Sequence, residues 1–133
     1  MSETVWIPTL GHYVVVVSAV LGIDREAIER LPNLKLADSA LNAPFAEFGG
    51  VPAYEGVVTQ ASVLMARLAQ NHPLPDGNKR AAFMLTLRFL DANGYRWGAQ
   101  DVDSDAGMVE RIAASEATHE EIVSWLESRT SAS

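Results

Sequence analysis

The chain contains no cysteine. Disulfides and thiolate metal sites are therefore excluded, and folding needs no oxidising compartment. Long apolar runs are missing as well. The most apolar stretch, YVVVVSAVLGI, covers 11 residues, short of the roughly 18 expected of a membrane span. The opening residues, MSETVWIP, show neither a basic n-region nor a cleavage-like site, so no signal peptide is expected and a cytoplasmic location is. Positive charge is scarce: ten Lys and Arg stand against 17 Asp and Glu, for a net charge of −7. The imbalance is steepest from residue 91 onward, where nine acids meet only Arg96, Arg111 and Arg129. Such a surface repels phosphate backbones, so direct nucleic-acid binding is not expected, and the acids read as a solvated helical face.

Familiar catalytic signatures are also absent. No G-x-x-x-x-G-K-[ST] loop and no G-x-S-x-G elbow occurs. The three histidines, His12, His72 and His119, are too scattered for a zinc motif. His12 and His119 read as structural or surface residues.

What is present is 133 residues with 48% hydrophobic content, enough for one domain spanning 1–133 that buries about two-thirds of its unfolded surface. Val5 to Ile7 reads as a short edge strand ended by Pro8. Residues 9 to 21 are ambiguous: the Val14–Val17 run favours strand by propensity, whereas length favours a buried helix, the preferred reading. Asp24 can cap a short helix that Pro32 stops, and another short helix covers Leu36 to Asn42. Residues 45–56, FAEFGGVPAYEG, form a loop or hairpin punctuated by Gly49, Gly50 and Pro52. Val57, Ala61, Leu64, Met65 and Leu68 then recur at helical spacing, predicting a helix over 54–70 that ends near His72, ahead of Pro73.

Pro73 and Pro75 should keep the chain extended before the next helix, capped by Asp76 or Asn78 and closed by Asn93-Gly94. Its apolar residues, Ala81 to Leu90, surround most of the cylinder, as expected of a central helix. Tyr95 to Trp97 reads as a short strand, with Val5–Ile7 as its suggested partner. Asp103 to Ala114 reads as helix, and Thr118-x-x-Glu121 is a capping box opening the last one. The fold class expected is all-α: a compact bundle.

One segment runs against electrostatics. NHPLPDGNKRAAF, residues 71–83, places Lys79 and Arg80 in the first turn of a helix, where the macrodipole disfavours cations by about 0.3–1 kcal/mol each. Either solvent screens this conflict or an anion occupies the site. Gly77 permits close backbone approach, and the first-turn amides of a helix lack intrahelical partners and cradle anions. Asn78 adds an amide, Arg80 a fork for phosphate, and Asp76 a carboxylate suited to Mg²⁺ beside phosphates. His72 lies within reach as a general base. Taken singly, each residue has a plain structural reading: a turn histidine, an N-cap, two surface cations. Taken together they suit phosphoryl or nucleotidyl transfer.

These residues resemble the signature of the Fic/Doc family, H-x-F-x-[DE]-G-N-G-R-x-x-R, in the form carried by its death-on-curing (Doc) branch. His72, Asp76, Gly77, Asn78 and Arg80 match; Leu74 replaces the Phe, Lys79 the second Gly, and Phe83 the second Arg. A weaker likeness runs through LADSALNAPFAEFGGVPAYEG, residues 36–56. The resemblance implies a Fic/Doc-type helical fold with the motif loop between two central helices and a short flap hairpin. It implies ATP and Mg²⁺ as cofactors, with His72 as catalytic base and Asp76 as metal ligand. Gly77, Asn78, Lys79 and Arg80 would then bind nucleotide, and Phe48, Gly49, Gly50 and Val51 would form a flap that docks the target.

Most Fic enzymes transfer AMP to a protein hydroxyl, whereas Doc toxins bind ATP reversed and transfer its γ-phosphate to elongation factor Tu, blocking translation. The missing second Arg favours the latter. The S/T-x-x-x-E-G/N inhibitory motif of many Fic proteins is not found, which implies a separate cognate antitoxin. An adenylyltransferase and a non-catalytic Fic-fold binding module are the alternatives.

Overall fold

The computed structural model describes residues 5–98 and 102–132. Among them are seven α-helices: α1 (Leu10–Leu21), α2 (Arg25–Glu29), α3 (Lys35–Asn42), α4 (Val57–Asn71), α5 (Asn78–Ala92), α6 (Val102–Ala113) and α7 (His119–Arg129). A 3-10 turn over Ala43–Phe45 extends α3 past Pro44. Two small antiparallel ribbons complete the architecture: β1 (Glu47–Phe48) with β2 (Val51–Pro52), and β3 (Tyr95–Trp97) with β4 (Thr130–Ala132). The fold is mainly α, as expected. No helix among the described residues is long and apolar enough to cross a membrane.

The pair α4–α5 forms the centre. Ala61, Ala69, Ala81 and Ala82 are buried on these two helices, and such small residues let backbones approach while Leu64, Met65, Leu68, Leu85, Phe89 and Leu90 fill the space around them. Each of those large side chains stabilises the fold by about 1.5–3 kcal/mol on burial. Helix α5 also packs on α1, α6 and β3. It is not apolar all round: Arg80, Met84 and Arg88 form one exposed stripe at i, i+4 and i+8 spacing.

The ambiguous residues 10–21 are helical. Thr9 caps α1 through its side chain, and His12 closes the box by accepting from the Thr9 amide at 2.9 Å. His119 bonds the Ser62 hydroxyl at 3.2 Å. Both histidines thus have hydrogen-bond partners within the fold.

Several local expectations are corrected. Val5–Ile7 is not a strand. Asn93 holds this segment instead, accepting from the Trp6 amide at 2.8 Å and donating to its carbonyl at 3.1 Å. One side-chain amide so satisfies both backbone groups that a strand would have paired. The partner of Tyr95–Trp97 is Thr130–Ala132, with Arg96 opposite Ser131. Asp24 occupies the N-cap position of α2 without making a side-chain cap bond. The late acids are not all solvated: Asp105 is buried, its Oδ1 accepting from Trp125 Nε1 at 3.0 Å and Arg129 Nε at 2.8 Å.

The capping box at α7 forms as read. The Thr118 hydroxyl accepts from the Glu121 amide at 3.1 Å, and the Glu121 carboxylate from the Thr118 amide at 3.0 Å. That backbone hydrogen bond, with the Arg111 guanidinium behind it, holds the Glu121 carboxyl below its ordinary range. A carboxyl more acidic in the fold than in the unfolded chain stabilises above its unfolded pKa, and that contribution fades as pH falls through the folded value. Glu121→Ala is accordingly expected to lower the urea midpoint at neutral pH. Its difference from the parent chain should shrink as pH is lowered through the carboxylate range, which urea titrations across that range would show.

Candidate active site

Helix α4 ends abruptly. His72 takes a left-handed conformation, φ 51° and ψ 55°, and the next residue is Pro73. A proline pushes the residue before it out of the right-handed region, and a non-glycine residue in the left-handed region is disfavoured by about 1–2 kcal/mol. The chain then bends over 74–76 and does not stay extended. Leu74 is the anchor: its side chain is buried, with only 4% exposed. The Asn78 side chain reaches back over the turn, accepting from the Leu74 amide at 3.0 Å and donating to the Leu74 carbonyl at 2.8 Å.

Asn78 is thus a loop brace and not an N-cap, and Asp76 does not cap either. The N-cap position of α5 belongs to Gly77, φ 82°, with no side-chain cap bond. The first-turn amides of a buried helix are left to whatever enters from outside.

Gly77 also meets a packing requirement that the sequence did not reveal. A Cβ there would lie 2.6 Å from Leu21 Cδ2. The glycine lets the loop close onto the end of α1, in a backbone conformation that other residues resist.

A cavity of about 850 Å³ opens at this junction. His72, Asp76, Gly77, Asn78, Lys79 and Arg80 all line it, so all six motif residues read from the sequence share one space. His72, Asp76, Lys79 and Arg80 are exposed, available to a ligand. The floor and far wall were not legible in the sequence. Val17 and Leu21 of α1, Ile28 of α2 and Ala113 of α6 supply them. They are ordinary apolar helix residues, and only tertiary packing brings them to the motif.

Glu110 of α6 also lines the cavity and forms an ion pair with Lys79 Nζ. Part of the charge conflict at the start of α5 is therefore answered by a protein carboxylate. With 47% of the Lys79 side chain and 66% of the Glu110 side chain exposed, the pair is worth at most about 1 kcal/mol.

The flap residues stand apart. Gly49 and Gly50, φ 60° and 81°, make the tight two-residue turn between Phe48 and Val51. Phe48 is 74% and Val51 61% exposed. None of the four lines the cavity. The hairpin precedes the N-terminus of α4, whereas His72 stands at its C-terminus.

A family profile described as the Fic/DOC family matches residues 12–90, the segment that carries this loop, the hairpin, α4 and all but the end of α5. The chain belongs to the Fic/DOC family. It is also similar to the toxin Doc of Mycolicibacterium smegmatis, with 39% identity over 79 residues. That match covers 59% of this chain and 61% of the relative, so it spans about three fifths of the curated protein's length. No solved structure matches the chain. The matched segment ends before β3, α6 and α7, so Glu110 lies outside the shared part.

The Gly77 geometry is open to test. Gly77→Ala meets both a left-handed backbone, costing about 1–2 kcal/mol, and the Leu21 side chain. Adding Leu21→Ala to it should relieve the clash and leave the backbone cost. A double-mutant cycle by urea unfolding should therefore show positive coupling between the two positions, and strict additivity would show that Leu21 does not impose the glycine.

Proposed function

We propose that this chain is a Doc-like toxin of a toxin–antitoxin pair that acts as a protein kinase. In this reading it transfers the γ-phosphate of ATP to a hydroxyl of a translation factor, elongation factor Tu, and so blocks translation. The observation that carries the reading is the convergence of His72, Asp76, Lys79 and Arg80 on one cavity at the uncapped N-terminus of α5. Phosphoryl transfer is catalysed mainly by positioning and charge stabilisation, which is what amides, two cations and a fixed loop supply.

His72 accepts the proton of the target hydroxyl as its oxygen bonds to the γ-phosphorus. The bond from that phosphorus to the β–γ bridging oxygen breaks, and ADP leaves. Lys79 and Arg80 hold the phosphates, Arg80 with the option of two parallel hydrogen bonds. Gly77 and Asn78 shape the amide cradle. Among the described residues no cluster of three or more His, Asp or Glu side chains offers a metal site by itself. A single carboxylate at a phosphate site fits Mg²⁺, which takes one or two carboxylates and completes its shell with phosphate oxygens and water. Asp76 would hold it, and the ion would neutralise phosphate charge.

Phe83 supports phosphoryl over AMP transfer. Where the Fic pattern has its second Arg, Phe83 packs edge-on against Trp97, with ring centroids 5.5 Å apart. The exposed hairpin of Phe48–Val51 offers open strand edges and two apolar side chains to an extended target segment. Since it lies apart from the cavity, it suits a macromolecular substrate that spans both. A cognate antitoxin is the partner proposed to restrain the toxin.

The test is the intact mass of elongation factor Tu after incubation with the chain, ATP and Mg²⁺, beside a His72→Ala control. One added phosphate is expected, with a rate about 10²–10⁴-fold lower in the variant. One added AMP would overturn the kinase reading. A phosphate appearing on a different lysate protein would keep the chemistry and replace the target.

A further inference from the structure

A second cavity, of about 460 Å³, adjoins the first, and Lys79, Arg80 and Glu110 line both. Beyond them its character changes. Phe83, Trp97, Ala106 and Val109 make an apolar wall, and Asp105 adds a buried acid. We propose that this second cavity takes the base of the nucleotide whose phosphates lie against Lys79 and Arg80. The inference rests on the nucleotide reading given above and assigns the site that recognises the rest of the molecule.

Three observations point the same way. Phe83 follows Lys79 by one helical turn, about 6 Å along α5 and on the same face. A ligand gripped by Lys79 and extending along the helix therefore meets Phe83 next. The wall it meets is stiff: Phe83, Trp97 and Trp125 form a three-ring cluster with centroids 5.4 to 6.4 Å apart. Trp125, outside the lining itself, is held in place by its bond to Asp105. Bases stack on such aromatic surfaces with about 1–3 kcal/mol each, whatever their identity. The charge pattern is complementary too. The cations sit on the shared rim, where phosphates would lie, and the aromatic groups lie past it, where an uncharged ring system would.

The replacement of Arg by Phe at position 83 then acquires a function. An arginine there would address phosphates, whereas a phenylalanine in a tryptophan-backed wall addresses a ring. With the terminal phosphate at His72, the nucleoside end points towards Phe83.

The test compares the binding of ATP and of inorganic tripolyphosphate, each with Mg²⁺, to the full chain by isothermal titration calorimetry. Tripolyphosphate carries the anionic chain without a base, so it reports the cation site alone. ATP is expected to bind about 5- to 150-fold more tightly. Two variants should abolish that advantage while leaving tripolyphosphate affinity unchanged. Phe83→Leu removes the ring and keeps apolar volume. Ala106→Leu, at an exposed position outside the aromatic cluster, fills the cavity without disturbing the core. Equal affinities for the two ligands in the parent chain would overturn the base site and leave the phosphate site standing. An unchanged ATP advantage in Ala106→Leu would overturn it as well. Binding of neither ligand would overturn the nucleotide reading itself.

Discussion

The structure turns on one reversal of direction. Two buried helices, α4 and α5, are joined by the six residues 72–77, and that short loop must return the chain without burying unsatisfied backbone groups. Leu74 anchors it by burial, and Asn78 satisfies both backbone groups of Leu74 with one side-chain amide. Each bond contributes about 0.5–1.5 kcal/mol and the burial about 1.5–3, enough to offset the left-handed His72. The functional arrangement is a consequence. The N-cap position falls to Gly77, which has no side chain to offer, and Asn78 is committed to the loop, so the helix N-terminus remains uncapped. Because His72 turns out of α4, its imidazole borders the same cavity as Asp76 and the two cations.

The charge distribution fits a site for a small anion. In a chain with a net charge of −7, Lys79 and Arg80 both line the cavity, and Glu110 pairs with Lys79 through a weak, exposed ion pair. A pair this exposed contributes little and leaves the lysine open to other partners. The acidic late segment is therefore more than a solvated face. Asp105 braces Trp125 and Arg129, Glu121 closes a capping box, and Glu110 faces the motif.

What the sequence made legible was local. The motif lies within nine consecutive residues, so its joint chemistry could be read before any packing was known. The two central helices, the hairpin turn and the Thr118 capping box also follow from short-range spacing. What escaped depends on distant contacts. Nothing near Val17, Leu21 or Ile28 marks them as cavity walls, since apolar helix residues look alike in sequence. The pairing of Tyr95–Trp97 with the end of the chain could not be distinguished from pairing with Val5–Ile7, because short strands carry little register information. Gly77 was read as making room for a ligand, yet the nearest obstacle to a side chain there is Leu21 of another helix.

The orientation of the nucleotide is the claim on which the functional reading depends most directly. It is measured by a crystal structure of the chain with Mg²⁺ and a non-hydrolysable ATP analogue, read for which phosphorus lies nearest the His72 ring. The γ-phosphorus beside His72, with the remaining phosphates against Lys79 and Arg80, is the expected result. An α-phosphorus beside His72 would contradict it and make the chain an adenylyl-transferring member of its family.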